Sequence, residues 1–345
     1  MLVAGMLLIS LVGVALMAPL PYVIEGPGVT EDALSTHDGR PVIEIAGATT
    51  YETSGEIEVT TVSVSSPTYR PRLAEVINAW FSDEEVVLPR DTVYPPEQTV
   101  EEVEEQNRTD MIGSQEAAIA AGLEQAGVEP FVVRVGAVTT DAPADGTLQV
   151  DDLIRSVDDT TVGSAEELVE AIRAVEPGDS VSLAIERDGK TLDVDVTTEP
   201  TPDEPDVPRI GIAPANDAVF DPPFDVDIQL DQDIGGPSAG LVFSVAVYDL
   251  LTPGPLLDGR HVAGTGTIDV DGQVGPIGGI QQKIVGAYDD GEGAELFLVP
   301  AANCEAAADS ALADDVMLVE VATLDDAVMA LEQVAAGDAD DVGRC

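Results

Sequence analysis

The sequence predicts a mixed α/β fold in at least two domains, behind an apolar N-terminal segment. Three observations carry this reading. The chain has 345 residues, more than one ordinary domain core needs. After about residue 209, apolar runs such as AELFLVPA and DVMLVEV alternate with helical stretches, the pattern of strands and helices packed in layers. Between about 128 and 198 lies a self-contained series of strand, capped helix and hairpin.

Taken in order, residues 1–24 carry no charge, and the first charge is Glu25. About twenty apolar residues suffice to span a bilayer. The segment reads as an uncleaved transmembrane anchor with the bulk of the chain outside the cytoplasm, or as a signal peptide cut near Ala15 or Ala18. The absence of a basic stretch before the apolar run favours the anchor. Residues 25–127 form an N-terminal strand and helix region. GEIEVTTVSVSS, Gly55 to Ser66, alternates apolar and polar residues as a strand does. Residues 97–125 are helix-rich and stop at Gly127, with an Asn107-Arg108-Thr109 sequon inside that is more often a chance match than a glycan site.

The 128–198 unit opens on a strand from Phe131 to Val138. Ser164 and Glu167 have capping-box spacing before the helix ELVEAIRAV, and Asp188-Gly189 between VSLAIER and TLDVDVT signals a two-residue hairpin turn. EPTPDEPDVP, residues 199–208, holds four prolines in ten positions and reads as an extended linker. A domain over 209–336 and a tail over 337–345 follow.

Charge narrows the partners. There are 66 acidic residues against 14 basic ones, a net charge of −52. Nucleic acid and an anionic membrane surface both repel such a chain, which argues against either as a partner. The acids are spread along the sequence, which suits a solvated shell in a saline medium; a preference for cationic substrates is the alternative. The two cysteines, Cys304 and Cys345, fit an oxidising compartment, where a disulfide would hold the C-terminus; otherwise Cys304 is a buried thiol and Cys345 incidental.

The chemistry concentrates at IGGPSAGLVFSVAVYDLL, Ile234 to Leu251. Pro is tolerated in a first helical turn, Gly235 and Gly236 permit a sharp turn, and a helix start presents unpaired N–H groups and a partial positive charge. Ser238 at that corner is placed as a nucleophile facing developing negative charge. It needs a base. Of the two histidines, His37 lies in a polar loop and His261 at a strand start, where a structural role is expected. Of the two lysines, Lys190 follows a hairpin turn and is solvated, whereas Lys283 lies in the apolar VGPIGGIQQKIVGA, just inside a helix. Burial and a helix start both favour the neutral amine, a competent general base.

GGPSAGL, the TGTI strand within HVAGTGTIDVDGQVGP, and the lysine of IGGIQQK 45 positions after the serine resemble the proteolytic domain of Lon proteases over about 210–334. The segment from VRVGAV to AIERDG resembles a bacterial PDZ domain. With the anchor, the whole is similar to the membrane-attached Lon-like serine proteases with a PDZ domain, the YlbL type. The resemblance implies an α/β (α+β) Lon-type domain with the PDZ unit preceding it or inserted in it, the GEIEVTTVSV sheet then belonging to the protease half.

It also implies Ser238 as nucleophile, Lys283 as base and Thr265 in support, with backbone groups of Gly236, Pro237 and Ser238 as oxyanion hole. The peptide groove is expected beside the helix at 164–175, with its carboxylate-binding loop upstream of Phe131. Gly235 stands where many Lon enzymes carry an acid; Asp231 and Asp233 are nearby but displaced. No GxxxxGK[ST] loop and no metal-ligand spacing occurs, so neither cofactor nor metal is expected. The activity implied is ATP-independent endoproteolysis of flexible polypeptides. The alternatives are an inactive tethered PDZ scaffold and a protein that cuts only its own chain.

Overall fold

The structure is a computed structural model that describes residues 3, 6, 10, 11, 13, 14, 16–37, 39–96, 98–215, 218–229, 235–288 and 293–345. Its first strand is β1 (Tyr22–Asp32), followed by β2 (Glu56–Val64), α1 (Leu73–Trp80), β3 (Val86–Pro89) and the long α2 (Val100–Gln125). Thr99 caps α2, its hydroxyl accepting from the Glu102 N–H while the Glu102 carboxylate accepts from the Thr99 N–H. The chain then builds a second unit: β4 (Phe131–Val138), β5 (Leu153–Val157), α3 (Ala165–Arg173), β6 (Ser180–Arg187), β7 (Lys190–Thr197), β8 (Glu199–Thr201), β9 (Glu204–Arg209), β10 (Ile212–Pro214) and β11 (Val219–Phe220). It returns with α4 (Gly240–Leu251), β12 (His261–Gly264), α5 (Ile280–Ala287), β13 (Leu296–Pro300), β14 (Met317–Val321) and α6 (Leu324–Ala336).

Two compact units result: residues 1–126 with 226–345, and residues 127–225. The first is therefore discontinuous. Its six-stranded sheet has the order β14-β13-β12-β2-β1-β3. β12 pairs parallel with both β2 and β13, and β1 pairs antiparallel with β2 and β3. Residues over 200 positions apart thus share one sheet. α4 is buried almost all round: Leu241, Val242, Phe243, Val245, Ala246 and Val247 are fully inaccessible. α2 packs on it closely enough that a side chain at Gly122 would meet the Ser244 carbonyl and Val247. Cys304 and Cys345 form a disulfide.

The second unit is a sheet in the order β7-β6-β5-β4-β10, with β11 also on β4, over a core that includes Val135, Ile154, Leu168, Leu183 and Ile185. Ser164 caps α3 through Glu167. Asp188 and Gly189 both have positive φ, as a type I′ hairpin demands.

Three expectations need correction. Residues 199–208 are not a linker: β8 and β9 form an antiparallel hairpin, and Pro200 pairs with Pro208. A two-stranded ribbon tolerates the missing N–H groups of proline, which composition alone cannot reveal. Residues 209–225 likewise belong to the second unit, where Ile210 enters the core and β10 and β11 cover one edge of β4. A peptide cannot pair along β4 on that side, which those two strands occupy. Third, the apolar segment does not run to residue 24 as one span. Tyr22, Val23 and Ile24 pair with Pro89, Leu88 and Val87. Among the described residues no helix is long and apolar enough to cross a membrane, although much of residues 1–15 lies outside them.

Candidate active site

Ser238 sits in a 3-10 turn, Pro237–Ala239, from which α4 continues. Gly236 enters the turn at φ +89°, a conformation that favours glycine. The turn is held from two sides. On one, α2 supplies the Ser114 hydroxyl, which donates to the Pro237 carbonyl at 3.0 Å, and the Asn107 carbonyl, which accepts from the Gly236 N–H at 3.3 Å. On the other, the loop after β12 donates to the Ser238 carbonyl through the Gly266 N–H at 2.9 Å and the Thr265 hydroxyl at 3.0 Å.

Lys283 reaches this corner from the first turns of α5, whose N-cap Gly279 adopts a left-handed conformation. Only 2% of the residue is exposed. Its Nζ lies 2.7 Å from Ser238 Oγ, 3.0 Å from Thr265 Oγ1 and 2.8 Å from the Thr60 carbonyl. An ammonium would donate to all three. A neutral amine would donate to Thr60 and Thr265 and accept the proton of Ser238, so the arrangement accommodates both sides of a proton transfer. Burial pushes the lysine pKa down to about 8, with Glu25 opposing the shift.

Two of these neighbours escaped sequence reasoning. Thr60, in β2, carries the accepting carbonyl, and its hydroxyl donates to the Gly264 carbonyl at 3.0 Å, tying β2 to β12 beside the site. Glu25, in β1, is buried against the N-terminus of α5, where a Cβ on Gly279 would strike its carboxylate. Burial pushes the Glu25 carboxyl up in pKa and Lys283 pulls it down. The signal was present, since Glu25 is the first charge of the chain and stands in an apolar stretch. Its target, however, lies over 250 residues away.

The oxyanion-hole expectation is revised. Pro237 has no N–H to donate, and the Gly236 N–H is spent on Asn107. Ser238, at the second position of the turn, retains an N–H without an intrahelical partner. Asp231 and Asp233 lie outside the described residues. His261 opens β12 at the end away from Thr265, with Nε2 3.1 Å from Glu58 and 3.9 Å from Glu56, a group of one imidazole and two carboxylates apart from the dyad. His37 is exposed and faces Glu31, and Lys190 is exposed in its hairpin.

A family model described as the Lon protease (S16) C-terminal proteolytic domain matches residues 231–333, and a PDZ-domain model matches residues 102–198. The chain joins a Lon-type serine-peptidase domain to a PDZ domain. The PDZ match begins inside α2, which packs in the first unit. The Lon-type match covers only the C-terminal portion of the first unit and omits β1 and β2, which furnish Glu25 and Thr60.

Over 68 residues the chain is 46% identical to Lon protease 2 of Herpetosiphon aurantiacus and 40% identical to a Lon protease of Elusimicrobium minutum, in each case across 20% of this chain. It spans 8% of the length of either relative. Among solved structures, the PDZ domain of an SdrC-like protein from Listeria monocytogenes is 28% identical, with 24% of this chain and 85% of that one covered and a TM-score of 0.22. A Geobacillus thermodenitrificans protein is also 28% identical, over 25% and 98%, with a TM-score of 0.23.

Proposed function

We propose that the chain is a membrane-tethered, ATP-independent endopeptidase acting outside the cytoplasm through a Ser238/Lys283 dyad. The observation that carries the reading is the buried Lys283 amine 2.7 Å from Ser238 Oγ. In this mechanism neutral Lys283 takes the Ser238 proton as Oγ attacks a peptide carbonyl. The negative oxygen is met by the Ser238 N–H and the positive end of the helix that follows. The ammonium then returns its proton to the departing amine, leaving an acyl-serine. A water molecule, deprotonated by the same lysine, releases the second product and restores the serine. Thr265 and the Thr60 carbonyl hold the amine in line throughout.

The PDZ unit takes an extended peptide beside α3, by strand addition. Tethering is supported by the uncharged first 24 residues and by the exposed apolar side chains of Met6, Leu11 and Val14. The disulfide supports an oxidising compartment.

The test incubates the purified full chain with a fluorescently labelled unstructured protein and no nucleotide. The wild type should release peptides with turnover, and Ser238→Ala should fall by roughly 10³-fold or more. Equal rates would remove Ser238 from the reaction. No turnover by either would leave the PDZ scaffold, and cleavage of the chain itself alone would leave self-processing.

A further inference from the structure

α1 is apolar on two sides. Val76 and Ala79 are buried, as a helix packed on a sheet requires. On the outer side Ile77, Trp80 and Phe81, spaced three and four apart, are exposed by 39%, 79% and 86%. Trp80 is the only tryptophan of the chain. An apolar stripe of this kind on a soluble surface marks something that covers it.

Its place in the fold says what. The helix begins beside the exit of the uncharged N-terminal segment: the Leu20 N–H donates to the Pro71 carbonyl at 2.9 Å, the Leu73 N–H to the Ala18 carbonyl at 3.3 Å, and Pro19 bridges Arg72. Eight residues of helix reach about 12 Å from that point. The turn into α1 carries two of the chain's fourteen basic residues, Arg70 and Arg72, with Glu75 inside the helix and Asp83, Glu84 and Glu85 just after it. Both arginines are exposed, as is Tyr69. Tryptophan, tyrosine and arginine at the junction of an apolar segment with a folded domain are the residues that partition to the boundary between headgroups and acyl chains.

We propose that α1, with Tyr69, Arg70 and Arg72, lies on the lipid surface, seating the first unit against the bilayer that the uncharged segment before β1 enters. The proposal rests on the tethered reading above. The contact fixes the height and tilt of the Ser238 site above the membrane, a constraint the tether alone does not impose. It also explains why three large apolar side chains persist on one face of a chain whose surface is otherwise acidic.

Trp80 is its own probe. The full chain is reconstituted into phosphatidylcholine vesicles, with and without lipids brominated near the headgroup end of their acyl chains, and flotation is measured alongside fluorescence. The expected result is co-flotation, blue-shifted emission, at least twofold quenching by brominated lipid, and severalfold protection from iodide. Ile77→Asp with Phe81→Asp should still float and keep its circular dichroism and its rate on a soluble substrate, while losing the lipid quenching. Flotation with Trp80 open to iodide and unquenched by lipid would overturn the proposal and leave the tether intact. Failure to float with unquenched Trp80 would overturn both. Protection from iodide without lipid quenching, growing with the protein-to-lipid ratio, would assign the stripe to a second copy and overturn it as well.

Discussion

Lys283 carries opposing influences that a pH profile separates. Burial lowers its pKa to about 8, and the buried Glu25 carboxylate holds it from falling further. The neutral amine is the reactive form, so hydrolysis should rise with pH and level off above about 8. Lys283→Arg retains a charge that does not dissociate and should be nearly inactive at every pH. Glu25→Gln removes the opposing charge, so its profile should move to lower pH than the wild type. The measurement is peptide hydrolysis across pH in enough salt to screen the acidic surface. An active Lys283→Arg enzyme would contradict the role given to the amine, and an unmoved Glu25→Gln midpoint would contradict the role given to the carboxylate.

α4 stores a pH dependence of a different origin. Asp249, in its last turn, is 1% exposed; one oxygen accepts from the Leu256 N–H at 3.2 Å while the other is buried without a hydrogen-bond partner among the described residues. Burial raises its pKa from 3.8 to about 6. The folded state therefore holds a proton that the unfolded state has released, and stability falls as pH rises through that window, by on the order of 3 kcal/mol for a shift of this size. Asp249→Asn should flatten this part of the curve, as read by denaturant unfolding at several pH values. A slope equal to that of the wild type would show that Asp249 does not titrate there. Helix and strand identities were largely legible at this scale, because capping boxes, the Asp188-Gly189 turn and two-residue alternation are local signals. The β8–β9 hairpin was not legible, since its prolines lie in an isolated ribbon whose pairing no local rule announces.

Across the whole molecule, the first unit is assembled from two distant stretches and closed at its C-terminus by the Cys304–Cys345 disulfide, 41 residues apart. Closing a loop of that length restricts the unfolded chain and contributes about 2–4 kcal/mol. Reduction, or Cys345→Ser, should lower the unfolding midpoint by an amount of this order while sparing hydrolysis at low temperature. An unchanged midpoint would mean that the C-terminal strap is dispensable. The high density of acids should make stability increase with salt at constant pH, because screening relieves their mutual repulsion.

The sequence alone determined which atoms are chemically able to act. With two lysines and two histidines in 345 residues, Ser238 and Lys283 stood out as candidates, the resemblance to Lon proteases implied their pairing, and the glycine and proline around the serine dictated the turn that carries it. The tertiary structure decided everything that depends on strands meeting across more than 200 residues. Only the order of the six-stranded sheet puts the Thr60 carbonyl and the Glu25 carboxylate beside the lysine, and only the packing of α2 commits the Gly236 N–H to Asn107. The reason is physical: a motif records local backbone preference, whereas burial, and with it the lysine's lowered pKa, is set by whatever distant elements exclude water from the site.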